Sequence, residues 1–234
     1  MAQQIFQDNI VRVIGQVRFR PTILSFNGVH IIASGLEDKF EEWRAEKSDD
    51  IALYSPADKK FLQIAYDVTT YVNESEQNAD ELQDLISQVM KKNMGEFGVN
   101  EIRRVGFRIT KIMNTKFNFS DLVDLIYKKF YSDAEEVKSI STEKPRDVVF
   151  VLDGEKNGFL NHVQIGPVRK EEALNFFMPH FDHDKELIKE SNLFVDIDVF
   201  LKDDIEAGKV SKILKSIIEE NQRILTKYFE FLVK

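Results

Sequence analysis

Glu-Ile-Arg-Arg-Val-Gly-Phe-Arg-Ile-Thr-Lys-Ile-Met (Glu101–Met113) stands near the middle of the chain and alternates strictly in its centre. Side chains along a strand point to opposite faces in turn. Val105, Phe107 and Ile109 therefore share one face, and Arg104, Arg108 and Thr110 share the other. The stretch reads as a central β-strand with one apolar and one charged face. An echo opens the chain: Val11-Arg-Val-Ile-Gly15, then Arg18-Phe19, resembles Ile102-Arg-Arg-Val-Gly106, then Arg108-Ile109. Leu62-Gln-Ile-Ala65 likewise resembles Val163-Gln-Ile-Gly166. These echoes suggest half-repeats over 1–100 and 101–234, each running strand, helix, hairpin, helix.

Working outward, Ile10–Arg20 alternates as a first strand and stops at Pro21. Ser34-Gly-Leu-Glu37 resembles a capping box, and Leu36, Phe40 and Trp43 follow at helical spacing, which predicts a short helix that buries Trp43. Glu46–Asp50 reads as a charged loop. Ile51–Tyr54 and Phe61–Asn73 read as a hairpin. A helix capped within Asn78–Glu81 carries Leu82, Leu85, Ile86, Val89 and Met90 on one face and ends at Gly95 and Gly98. Asn118–Tyr131 is a third helix, and residues 132–146 form a polar connection. Asp147–Leu152 and Leu160–Val168 make a second hairpin around Gly154–Gly158. A short helix over Glu171–Phe177 stops at Pro179. Leu193–Leu201 is a late strand, and residues 205–233 form a long closing helix.

That closing helix carries a near-heptad seam of Val210, Leu214, Ile217, Asn221, Leu225, Tyr228 and Leu232. A polar seam residue sets register in coiled coils, so the seam could pair two chains. Ile213 and Ile218 widen the stripe, which favours a core helix laid on the sheet with Asn221 at its wetter edge.

The 234 residues suffice for one compact domain with a substantial core. Hydrophobic residues make up 43% and charged residues 31%, as in a folded globular protein. The net charge of -8 weighs against non-specific binding to nucleic acid, while leaving room for a local basic patch. The absence of cysteine excludes disulfides, thiolate metal sites and a cysteine nucleophile. The polar start Met1–Ile10 and the lack of a long apolar run lead to the expectation of a cytoplasmic protein, away from membranes.

Candidate chemistry lies on the charged face of the strands. Arg12, Gln16 and Arg18 belong to it from the first strand and Gln63 from the second. Arg104 and Arg108 follow from the central strand, then His162 and Gln164, then Asp196 and Asp198. Of these, Arg18, Arg104, Arg108, Gln164, Asp196 and Asp198 are the candidate ligand-binding set. Arginines grip phosphate or carboxylate, and two carboxylates of one parity could hold a divalent metal. The bland reading is cross-strand ion pairing that needs no ligand. Parity places Arg108 and Asp198 on one face, close enough to interact directly or through one neighbour. His180-Phe-Asp-His183-Asp184 is the single histidine cluster and offers a second metal candidate through His180 and His183; the plainer reading is a hydrated loop. Gly-rich phosphate loops, a nucleophile elbow and zinc-enzyme signatures are all missing, and no motif asks for a cofactor.

Three short patterns carry a resemblance: Val17-Arg-Phe-Arg-Pro21, Arg104-Val-Gly-Phe-Arg-Ile-Thr-Lys-Ile112, and Phe194-Val-Asp-Ile-Asp-Val-Phe200 ahead of a C-terminal helix with a Phe-rich end. Their order resembles a sporadically distributed family of uncharacterised prokaryotic proteins of similar length. Members usually carry Tyr and Asn where Ile109 and Lys111 stand here. The resemblance brings no activity, and the family's patchy distribution implies an accessory or defence-related role. The expectation is an α+β fold, a mainly antiparallel sheet with helices on one face. The functional expectation is a non-enzymatic binding or adaptor protein acting on a protein partner or a second copy. A metal-dependent enzyme and a nucleic-acid or phosphate-ligand binder are the alternatives.

Overall fold

A computed structural model describes residues 6–75, 79–131, 136, 145–178, 181 and 183–234. The polar connection at 132–146, His180 and the helix cap at Asn78 lie wholly or mostly outside them. Among the described residues nine strands form one sheet in the order β2-β3-β4-β5-β1-β6-β9-β8-β7. The strands are β1 Phe6–Phe19, β2 Glu42–Lys47, β3 Asp50–Ser55, β4 Lys60–Ala65, β5 Val68–Asn73, β6 Glu101–Thr115, β7 Phe150–Lys156, β8 Phe159–Arg169 and β9 Ser191–Glu206. Neighbours pair antiparallel throughout. The stretch Glu101–Met113 lies in β6, flanked by β1 and β9 at the centre of the sheet.

Among the described residues four helices cover one face: α1 Ile23–Ser34, α2 Asp80–Gly95, α3 Phe119–Phe130 and α5 Val210–Val233. The fold is thus α+β with a large antiparallel sheet and a long C-terminal helix. Residues 6–95 run strand, helix, four strands, helix, whereas the described part of residues 101–233 runs strand, helix, two strands, a short helix, strand and helix. Val13, Val17, Val105, Phe107, Ile109, Ile197 and Val199 point into the main core with Leu82, Ile86, Leu214 and Ile217. Gly15 also faces the helices, and a Cβ there would stand 2.5 Å from Leu82 Cδ2, so its missing side chain lets α2 approach β1.

The seam of α5 docks on the sheet, with Val210, Leu214, Ile217 and Leu225 buried. Asn221 is not at a wet edge. It is fully buried and donates from Nδ2 to the carbonyl oxygens of Phe107 (3.1 Å) and Ile197 (2.8 Å). A carbonyl has two lone pairs, so the side chain adds bonds that strand pairing leaves open.

The opposite face is half covered. The connection from β8 to β9 forms a strap across it, beginning with the short helix α4 Lys170–Leu174. Ala173, Leu174, Phe176, Phe177 and Ile188 pack on Ile10, Ile112, Val168 and Phe194. Met178 and Phe181 reach farther, onto Ala52, Tyr54, Phe61 and Val72. The other end of the charged face stays open.

Two local expectations are corrected. No helix spans Leu36–Trp43: a 3-10 turn at Glu37–Lys39 leads into the edge strand β2, and Trp43 is 63% exposed. The helix lies earlier, at Ile23–Ser34, where Thr22 and Ser25 form a reciprocal capping box. Phe61–Asn73 is two strands, because the chain turns at Tyr66 and Asp67 and pairs β4 with β5.

Candidate functional site

The site is best described by rows running across the strands. Arg18 of β1 stands opposite Arg104 of β6, which stands opposite Lys202 of β9. Gln16, Gly106 and Phe200 form the next row. Ile14, Arg108, Asp198 and His162 follow, then Arg12, Thr110, Asp196 and Gln164. Because the register is continuous through these rows, all these residues share the strap-side face.

The charges in these rows pair diagonally. Arg108 is the register partner of Asp198, yet its Nε donates to Asp196 Oδ1 at 2.8 Å, one row nearer the strap. Arg104 reaches the same way and donates from Nη2 to Asp198 Oδ2 at 2.7 Å and Oδ1 at 3.0 Å. Arg108 and Asp198 thus share the face and meet through these neighbours. Gly106 makes the diagonal reach feasible: a Cβ there would stand 2.8 Å from Arg104 Nη1. The Arg104 guanidinium also lies 4.7 Å from the centre of the Phe200 ring, a cation–π contact.

Arg18 and Arg104 converge on one neutral acceptor. Arg18 Nε and Arg104 Nη1 donate to Gln16 Oε1 at 2.8 and 3.1 Å. Lys202 Nζ hovers 5.2 Å from the centre of the Phe200 ring. Among the described side chains neither Arg18 nor Lys202 has a carboxylate in ion-pair range. Both are exposed and line a groove of about 520 Å³ with Arg104, Arg108, Asp198 and Thr70. Asp198 has its pKa raised, first by burial, with Asp196 adding to the rise and Arg104 and Arg108 opposing it. Burial acts to lower the Arg108 pKa, but its hydrogen bond and charge contact with Asp196 outweigh that and raise it.

Farther under the strap the charges are sealed. The Asp196 side chain is wholly buried; its Oδ1 accepts from Thr110 Oγ1 at 2.6 Å as well as from Arg108, and its Oδ2 has no hydrogen-bond partner among the described residues. Glu74, also wholly buried, accepts from the Met178 backbone N–H at 3.1 Å, lies 2.6 Å from His183 Nε2 and pairs with Arg12 at 3.5 Å. Burial lowers the Arg12 pKa, with the charge of Glu74 acting against it.

Of the sequence candidates, the structure brings Arg18, Arg104, Arg108 and Asp198 around the groove. Asp196 braces Arg108 from beneath, and Gln164 sits beside Asp196 in register, outside the groove lining. His183 is committed to Glu74, and no three metal-binding side chains cluster among the described residues. Sequence reading missed Lys202 and Gly106. The signal for Lys202 was present: the alternation of Asp196, Asp198 and Phe200 continues one step past the expected end of the strand at Leu201.

No family model matches the chain, and no curated protein matches it. Among solved structures, the crystal structure of Clostridium acetobutylicum aspartate kinase aligns over 92% of this chain and 34% of its own, at 10% identity and a TM-score of 0.20. This chain therefore spans about a third of that protein's length, and a likeness this slight carries neither fold nor function. No helix among the described residues is long and apolar enough to cross a membrane.

Proposed function

We propose that this protein is a non-enzymatic binding protein that holds an anionic, phosphate- or carboxylate-bearing ligand in the open groove of the sheet face. The observation that carries the reading is the row Arg18, Arg104, Lys202, three cations opposite one another on adjacent strands. Like charges directly opposite destabilise a sheet. Only Arg104 among them has a carboxylate partner among the described side chains. Guanidinium groups already aimed by Gln16 and Asp198 lose little freedom on gripping an anion. Metal chemistry at Asp196 and Asp198 finds no support here, because a guanidinium already engages each carboxylate.

The test is retention on phosphocellulose at low salt. A protein with net charge -8 should pass through unless a local site binds. Retention that falls with salt, and is lost in Arg18→Glu/Lys202→Glu, is the expected result. Passage of the unaltered protein at low salt would overturn the reading.

A protein partner or a second copy is the second reading. It is favoured by the outer side of α1, where Ile23 is 83%, Leu24 56% and Ile31 57% exposed. Native mass spectrometry of the unaltered protein beside Leu24→Glu/Ile31→Glu checks it; a monomer that captures no partner in either form removes it.

A further inference from the structure

We infer that the ligand of this groove is a compact polyphosphate ester of nucleoside di- or triphosphate type, an inference that rests on the anion-binding reading above. Neighbouring strands lie about 4.8 Å apart, so the outer cations of the row are rooted about 10 Å apart with Arg104 between them. Arg18 and Lys202 thus approach the groove from opposite sides of Arg104. A chain of two or three linked phosphates can reach from one outer cation to the other across the groove.

The row is also bounded. On the β5 side Arg18 meets Val68, and on the β8 side the pairing with β9 stops at Leu160 and Phe200, one step short of Lys202. A nucleic-acid strand would call for a basic stripe that continues past three strands, and the chain as a whole is acidic. A short polyanion fits the footprint better.

The groove offers more than phosphates need. Its floor continues from the row to Ile14, Thr70 and Val72, and Ile14 and Val72 join the apolar cluster under the strap. At about 520 Å³ it falls in the range of small-molecule sites. The polyphosphate would lie on the cation row, and an organic group of nucleoside size would lie against Thr70 and Val72, next to the strap.

Isothermal titration without added metal tests this with four probes: orthophosphate, tripolyphosphate, ATP and a short oligothymidylate. The expected order is tripolyphosphate at least about tenfold tighter than orthophosphate, and ATP tighter again. The oligonucleotide should bind no better than tripolyphosphate. Arg18→Glu/Lys202→Glu should abolish all binding, and Thr70→Phe should remove only the advantage of ATP over tripolyphosphate, both variants keeping the unaltered protein's melting temperature. Equal affinity for orthophosphate and tripolyphosphate would overturn the polyphosphate inference and leave the anion site standing. ATP no tighter than tripolyphosphate would overturn the nucleoside part. Preferred, steeply salt-dependent binding of the oligonucleotide would make the ligand a nucleic acid. Absence of binding by every probe would overturn the anion site itself.

Discussion

Arg104 lies flat across Gly106 to reach Asp198, and two consequences follow from that contact. The first concerns the glycine. In Gly106→Ala the new methyl must displace the guanidinium, since 2.8 Å is far inside a normal carbon–nitrogen contact. The displaced group is the far end of a flexible side chain, so the fold should lose no more than about 1 kcal/mol. Phosphocellulose retention should fall, because the guanidinium leaves the position in which Gln16 and Asp198 hold it. Chemical denaturation and retention, measured on the same variant, check both halves. The second consequence concerns pH. The Asp198 pKa is raised by burial, so the folded state holds that proton more tightly than the unfolded chain does. The ionised carboxylate therefore costs stability above its folded pKa, and this cost is relieved as pH falls through that value. Protonation also removes the negative charge that Asp198 brings to the groove lining. Anion affinity should rise as pH falls through the raised Asp198 pKa, and Asp198→Asn should bind more tightly at neutral pH with that dependence gone. Titration of the two proteins across the acidic range checks it.

At the scale of elements, most strands were legible, but the edge strand β2 and helix α1 were not. Alternation marks β1, β6 and β9 because one face is packed and the other charged, so period two appears in the letters. The pairing of β7 with β8 was legible from Asn157-Gly158, where both residues have positive φ, at 54° and 79°, as a two-residue hairpin turn requires. Helix α1 escaped because Ile23-Leu-Ser-Phe-Asn-Gly-Val-His-Ile-Ile is apolar nearly all round and leaves no polar stripe to count. The turn between β4 and β5 escaped because Ala65-Tyr-Asp-Val68 carries neither glycine nor proline. The candidate face was read from parity alone, but parity cannot tell which arginine takes which carboxylate. That depends on how far each guanidinium leans along its strand, and here Arg108 leans one row toward the strap and Arg104 two. The role of Asn221 was equally hidden, since its partners are backbone carbonyls with no signature in sequence. Its replacement by alanine should cost about 1–3 kcal/mol, because two buried bonds to the central strands are lost together. Urea unfolding of Asn221→Ala measures this, and no loss would mean that the packing of α5 alone suffices.

At the scale of the whole molecule, the strap belongs to the second half of the chain but anchors in the first. Met178 and Phe181 lie against Tyr54, Phe61 and Val72, and Glu74 takes the Met178 N–H and His183. On the far side of the sheet α2 packs against α5. The halves also share the long pairing of β1 with β6. Residues 6–95 and 101–233 are therefore joined at three levels, above, within and below the sheet. Melting should proceed as one transition, with calorimetric and van't Hoff enthalpies equal. Removing Glu74 strands Arg12 in a buried site and should cost about 3 kcal/mol, whether read from the first half or the second. The strap thus works as a rivet: two parts of a chain that were merely neighbours would melt in two steps, and this molecule should have no half-melted state to visit.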